Sequence, residues 1–237
     1  MEPCTTTTHT LARAALLALL AFLAPAAGCE DEEIEQPPVV GEPGEQRDLV
    51  YAGAPGGVEL LGDLILPLAV EPPPVVVIVH GGGFFQGSRG SMEEVAQALA
   101  ARGLASFNVD YRLVGVSGGE FPASSVDVRD TIRFLRAQRS ELAVGPVCGT
   151  LGSSAGGTLA ALAAFTEDDP TMVRGGWPDL HGYSDVAPVF VGLYGVYDFT
   201  TRFEQHGYVP WPEEDYLGGT FEEQPAKYEY ASPATWV

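Results

Sequence analysis

The chain of 237 residues is 46% hydrophobic and 10% aromatic, which suits one globular domain with a sizeable core and excludes a disordered or fibrous chain. A formal charge of −20 excludes a nucleic-acid partner and peripheral docking on anionic lipid, both of which need clustered Lys and Arg, and it disfavours a polyanionic substrate. The 29 glycines and 19 prolines sit at the edges of apolar runs as punctuation, with no internal repeat and no coiled-coil heptads.

Arg13 to Ala27 is an apolar run behind a weakly basic start. It is too short to span a bilayer with tolerance and suits the core of a signal peptide, so residues 1–28 read as an export signal. The run ends in Ala26-Ala27-Gly28-Cys29, which resembles the bacterial lipobox, with Ala26 where a Leu is usual. A lipobox cysteine is diacylated on sulfur and becomes the new N-terminus. Cys29 is therefore the candidate lipidation site and the bacterial cell envelope the expected location, a secreted protein with an ordinary signal being the alternative. Glu30 to Gly44 is acidic, proline-rich and without periodicity, so residues 29–46 are expected to form an extended tether, with the lipid as the sole membrane contact. With Cys4 in the signal and Cys29 as lipid site, only Cys148 is left for the folded part, which excludes an intrachain disulfide. Cys148 lies in an apolar run and reads as a small core residue without chemistry.

The folded part, residues 47–237, becomes legible from Val58. Val58 to Leu66 alternates in part and stops at Pro67, and the β-branched run Val75 to Val79 predicts a central strand buried on both faces. Ser91-Met92-Glu93-Glu94 predicts a capping box opening a helix to about Arg102, stopped by Gly103. Leu104 to Val109 predicts a strand. Ser124 to about Leu142 predicts a long helix with Val128, Ile132, Phe134 and Leu135 toward the core, followed by a strand over Val147 to Leu151. A second apolar helix from Ala155 and a strand over Val186 to Tyr194 complete the alternation, which implies a mostly parallel, doubly wound α/β sheet.

Chemistry concentrates at the strand ends, where open parallel sheets place their ligands. Gly152-Ser153-Ser154-Ala155-Gly156-Gly157 is G-x-S-x-G followed by glycine, with a strand before and a helix after. Such an elbow forces its central serine into a strained turn that lifts the hydroxyl above the sheet, and small flanks are needed because backbone comes close on both sides. Ser154 is the candidate nucleophile and Ser153 the variable position; a plain glycine-rich strand-to-helix turn is the alternative. His80-Gly81-Gly82-Gly83-Phe84-Phe85 follows the central strand, where lipases and esterases place the loop that binds the oxyanion. The amides of Gly82, Gly83 and Ala155 are the candidate donors. A phosphate-cradling loop would carry a Lys and a Ser/Thr that are missing here. His80 precedes the loop, out of the chain order expected of a catalytic base, and reads as a structural hydrogen bonder. These motifs call for neither metal nor cofactor.

On these residues the chain resembles the α/β-hydrolase superfamily, close to its hormone-sensitive-lipase-like and bacterial feruloyl-esterase-like (BD-FAE) esterases, over roughly residues 47–233. The matching pieces are HGGGFFQGS at 80–88, Asp110-Tyr111-Arg112-Leu113, Phe121-Pro122-Ala123 with Asp127, GSSAGG at 152–157, Tyr194-Gly195 with Tyr197-Asp198, and Tyr216-Leu217-Gly218-Gly219 leading to Ala231-Ser232-Pro233. The resemblance implies a serine hydrolase of small or saccharide-linked carboxylic esters, with Tyr111, Arg112 and Asp127 bracing the loops around the site.

In such relatives the acid follows the next strand and the histidine follows the last one. Val237 precedes both, so the sequence is expected to be C-terminally incomplete, its sheet to lack the last strands, and the Val186 to Tyr194 strand to show an unpaired apolar edge. Cut at Val237, residues 30–237 are expected to be poorly soluble or molten, with negligible hydrolysis. His181 and His206 fall in loops and read as surface or lid residues, Asp198 is a conceivable acid on the preceding strand, and no base is assigned. Besides the incomplete esterase, a lipoprotein pseudoenzyme that only binds, and an exopeptidase of the same superfamily, stay open. Pocket shape is expected from Phe84, Phe85, the loop Val114 to Glu120 and the segment Trp177 to Tyr183.

Overall fold

The run Val75–Val79 forms β3, and its side chains alternate between two separate cores. Val75, Val77 and Val79 join the larger apolar cluster, whereas Val76 and Ile78 join a smaller one with Ile65, Met92, Ala96 and Leu151. A strand buried on both faces has no use for polar residues, which is why its sequence is an unbroken β-branched run. The computed structural model describes residues 44–54, 56–69, 71–166, 169, 178–206 and 211–237. The signal segment, Cys29 and the tether up to residue 43 lie outside them.

Six strands form one mixed sheet in the order β1-β2-β4-β3-β5-β6, with β1 (Gly44–Ala54), β2 (Val58–Leu66), β4 (Ala105–Val109), β5 (Val147–Ser153) and β6 (Phe190–Leu193) around β3. β4, β3, β5 and β6 run parallel, while β1 and β2 add antiparallel at one side. Helix α1 (Glu93–Ala100) covers the smaller core, and α2 (Ala123–Ala137) and α3 (Ala155–Phe165) bury their apolar residues in the larger one. The sheet is thus wound on both faces.

β1 is an element the sequence did not reveal. It starts at Gly44, inside the stretch assigned to the tether, and Gly44, Glu45 and Gln46 pair with Leu66, Ile65 and Leu64. Gly56 and Gly57, both at positive φ, turn the chain into β2. On β2, Gly62 leaves room for a neighbour: a Cβ there would lie 2.2 Å from the ring of Phe107, a β4 residue that lies across it. The capping box over residues 91–94 does not form. Residues 89–92 make a 3-10 turn, Ser91 Oγ donates to the Ser88 carbonyl at 2.8 Å, and Met92 occupies the cap of α1. α2 stops at Ala137 instead of Leu142, because Leu142 and Val144 turn back into the larger core through Ala143 at φ 53°. β6 spans four residues of the nine expected, and among the described residues β5 is its sole strand neighbour.

Three short helices follow, α4 (Phe199–His206), α5 (Trp211–Leu217) and α6 (Pro225–Tyr230), none of them assigned from sequence. Phe199, Tyr216 and Tyr228 are buried in the larger core, and Tyr230 packs against it. Tyr216 of α5 stacks on Phe84 at 3.9 Å and meets Phe121 edge-on, Phe121 meets Tyr230, and Tyr230 meets Trp236. The column ties the end of the chain to the loop after β3.

Candidate active site

β5 ends at Ser153 and α3 begins at Ala155, so Ser154 alone makes the turn, at φ 51° and ψ −123°. That conformation costs a non-glycine residue on the order of 1–3 kcal/mol and persists only where its surroundings over-determine it. Here Ser154 N–H donates to the Leu193 carbonyl at 2.8 Å, and its own carbonyl accepts the Gly157 amide at 2.8 Å. Backbone crowds the turn on both sides. A Cβ on Gly156 would lie 2.3 Å from the carbonyl oxygens of both Val79 and His80, and one on Gly152 would lie 2.1 Å from the Gly156 carbonyl. Gly156 is therefore dictated by the approach of α3 to the end of β3, and Gly152 by the approach of α3 to β5. Ser154 itself is exposed, while Ser153 is half-buried with its Oγ 3.7 Å from Met92 Sδ.

The loop after β3 folds against this turn. A Cβ on Gly81 would lie 3.2 Å from Ser154 Cβ and 3.0 Å from the Ser153 carbonyl. Gly82 and Gly83 take φ 128° and 62°, and the Gly82 carbonyl accepts the amides of Phe85 at 3.3 Å and Gln86 at 3.1 Å. Among the described residues no backbone group accepts a hydrogen bond from the amides of Gly82, Gly83 or Ala155. Phe84, at φ 71°, is buried under Tyr216, so it anchors the loop from below and does not line a pocket as expected from sequence. Phe85 is half-buried.

His80 is 1% exposed, with its ring stacked on Tyr111 at 4.3 Å and its Nδ1 2.7 Å from the Gly81 carbonyl. Burial pulls its pKa below the ordinary imidazole range against the opposing Gly81 hydrogen bond, so a neutral ring fills the space beneath the loop. Tyr111 Oη donates to the His80 carbonyl at 3.0 Å. Arg112 meets Asp127 through Nη2 to Oδ1 at 2.6 Å and Nε to Oδ2 at 2.9 Å, while the Arg112 amide donates to Asp127 Oδ2 at 2.9 Å. This pair locks the segment after β4 onto the first turns of α2. Cys148 is half-buried, its thiol 3.4 Å from the Val75 carbonyl and its pKa raised by burial.

Asp198, the conceivable acid, is engaged by the first turn of the helix that follows it. Burial would raise its pKa, but donors from Thr200 and Thr201 hold it below the usual carboxylate range. Its Oδ1 accepts both amides at 2.9 Å, which makes it the cap of α4. His181 is exposed beside the 3-10 turn Pro178–Leu180, and His206 ends α4. Among the described residues Ser154 Oγ meets no imidazole or carboxylate, and no three His, Cys, Asp or Glu side chains gather as metal ligands would.

Sequence reasoning missed the groups that fix the turn after β6. Thr158 Oγ donates to the Val196 carbonyl at 2.8 Å and accepts the Val196 amide at 3.1 Å, while Tyr197 Oη accepts the Gly195 amide at 3.2 Å. A threonine four residues past the elbow serine, facing a Tyr-Gly turn, is the available signal.

Comparison with known proteins points one way. The BD-FAE family model matches residues 63–237. Esterase LipQ of Mycobacterium tuberculosis is 30% identical over 119 residues, covering 49% of this chain and 27% of that protein. Esterase LipC of the same organism is 31% identical over 148 residues, covering 59% of this chain and 34% of its own. A truncated carbohydrate esterase from gut microbiota superposes with a TM-score of 0.69 at 21% identity, over 82% of this chain and 72% of that one. The chain spans about a third or less of the length of the two curated relatives.

Proposed function

The chain belongs to the BD-FAE family, and on that premise we propose that the protein hydrolyses carboxylic esters with small or saccharide-linked acyl groups through Ser154. The observation that carries this reading is the close approach of the loop after β3 to the strained elbow: Ser154 at φ 51° beside Gly81, where a Cβ would lie 3.2 Å from Ser154 Cβ, with the amides of Gly82, Gly83 and Ala155 unused by backbone acceptors nearby. Ser154 Oγ attacks the ester carbonyl carbon. The carbonyl oxygen becomes an oxyanion, for which those three amides are the fixed donors, each worth roughly 3–4 kcal/mol in comparable sites. Collapse expels the alcohol and leaves an acyl-serine, which water hydrolyses.

Deprotonating Ser154 needs an imidazole held by a carboxylate. Asp198 is committed to capping α4, and we assign neither base nor acid to a described residue. That same commitment favours the second reading, a binding module with the pocket of an esterase. Serine-directed phosphonate labelling of the full-length protein separates the two. Hydrolysis of short-chain esters and labelling, both lost in Ser154→Ala, is the expected result; an unlabelled wild type points to the binding module, and labelling that survives in Ser154→Ala removes Ser154 from its role.

The location is proposed on the sequence alone: export, then anchoring to the cell envelope through lipid on Cys29, with the acidic tether holding the domain off the membrane. Cys29→Ser should move the protein from the membrane fraction to the soluble one, and unchanged partitioning would sink the anchor.

A further inference from the structure

The third strained non-glycine residue at the strand ends has no part in the chemistry above. Beside Phe84 and Ser154, Tyr194 takes φ 49°, a conformation unusual for a bulky side chain. β5 and β6 are parallel neighbours with Ser153 opposite Leu193, so Ser154 and Tyr194 are the next residues in register, each leaving its strand at positive φ. Parallel strands lie about 4.8 Å apart, which makes Tyr194 the neighbour of the elbow serine across the ladder. The Leu193 carbonyl, immediately before Tyr194, holds the Ser154 amide.

The turn carrying Tyr194 is bolted down from three sides. Thr158, one helical turn into α3, exchanges two hydrogen bonds with Val196. Tyr197 Oη accepts the Gly195 amide, and the Tyr197 carbonyl accepts the Ala234 amide at 2.9 Å from the last turn of the chain. A Cβ on Gly157 of α3 would touch Gly195 Cα at 3.3 Å, so the two backbones pack face to face. Every neighbour of Tyr194 in sequence is thus immobilised, yet the tyrosine is 82% exposed, well above Val189 at 55%. Scattered exposed apolar side chains are ordinary; a large aromatic held at positive φ on a rigid turn next to a serine elbow is not.

We infer that Tyr194 is a specificity-determining residue, presenting an aromatic face beside Ser154 on which a ring of the substrate, saturated or aryl, stacks as the ester enters. This rests on the esterase reading. A tyrosine ring recognises a ring through its flat apolar face at little entropic cost, because it has two side-chain torsions to fix and the backbone beneath it is already fixed. Linear esters gain nothing from such a wall. Its role is to bind and orient, with no part in proton transfer.

Full-length protein titrated with two ketone isosteres of esters, 4-cyclohexylbutan-2-one and pentan-2-one, followed by chemical-shift perturbation, reads the wall without requiring turnover. Wild type should prefer the cyclic ketone by about fivefold to tenfold. Tyr194→Asn, which tolerates positive φ, should bring that ratio to about one, and Tyr194→Phe should keep it. Equal affinity of wild type for both ketones, or an undiminished preference in Tyr194→Asn, overturns the inference. Ethyl acetate hydrolysis lost in Ser154→Ala reports on the esterase reading separately, so the failure of either is distinguishable.

Discussion

The Ser154 elbow and the outer side of α2 both hold backbone in close, buried contact, and they do so by opposite means. At the elbow the contact is made by removing side chains, since Gly152 and Gly156 let carbonyls approach where any Cβ would collide. At α2 it is made by charge. Arg129 and Arg133 are 1% and 2% exposed, and both reach Asp185 in the segment leading to β6, with Arg129 Nε 2.8 Å from the carboxylate. Arg133 also pairs with Asp130 at 2.7 Å, and Arg129 donates to the Thr166 carbonyl at 2.6 Å. Steric necessity leaves a readable motif, whereas a buried ion cluster is written in the residues that elsewhere mark a solvated helix face.

The comparison breaks hardest at Gly156. Gly156→Val would drive side-chain carbons into two carbonyls of rigid strand backbone, and the expected outcome is loss of a cooperative thermal transition, or destabilisation by more than about 4 kcal/mol. Asp185→Ala should follow closely. It strands two buried guanidinium groups with their main carboxylate gone, an arrangement that costs about 3–5 kcal/mol, read as a lower denaturant midpoint at unchanged slope. Replacing both arginines and Asp185 together with apolar residues should recover most of that loss, which would show the cluster specifying position more than adding stability.

Ser154→Gly sharpens the contrast in the other direction. Relief of the φ 51° strain should raise stability by about 1 kcal/mol while ester hydrolysis disappears, so the same position gains in melting temperature and loses in turnover. The smallest effect belongs to the exposed network on β1. Arg47 bonds Glu93 of α1 through both carboxylate oxygens, at 2.7 and 2.8 Å. That pairing, against a lesser opposing effect of burial, lowers the Glu93 pKa to about 2. A carboxylate with a depressed folded pKa contributes stability above its unfolded value near 4.5 and loses it as pH falls toward 2. Solvent screening holds the contribution to a few tenths of a kcal/mol, so Glu93→Gln should flatten the acid limb of a stability–pH profile between 4.5 and 2 and leave pH 7 nearly unchanged.

Legibility followed the same division. β3, β5, the elbow and the glycine loop were readable because each is set by a local requirement: a doubly buried strand must be apolar, and a crowded turn must be small. β1 was not readable, since its polar residues 44–46 acquire strand geometry only by pairing with β2, and Arg47 and Asp48 fall in an irregularity of that ladder. Helices α4 to α6 were hidden for a related reason. Phe199 and Tyr216 pack on Phe84, Tyr216 also meets Phe121, and Tyr228 meets Phe199, all residues far away in the chain, so no periodicity within those short segments announces them. The capping signature at 91–94 misled because the chain enters α1 through a 3-10 turn, where Ser91 is used for a turn bond. Phe84 does not shape the pocket expected from sequence, because its ring is buried and stacked on Tyr216, a contact with a residue far away in the chain.

Gly62 and Phe107 form a lock whose two halves have meaning only together. The phenyl ring occupies the volume that a side chain at 62 would claim, so the vacancy on β2 and the bulk on β4 are one shape divided between two strands. Descent should treat them as a single character: lineages that enlarge residue 62 can do so only after shrinking residue 107, and the intermediate with both large should be the rarest combination among relatives.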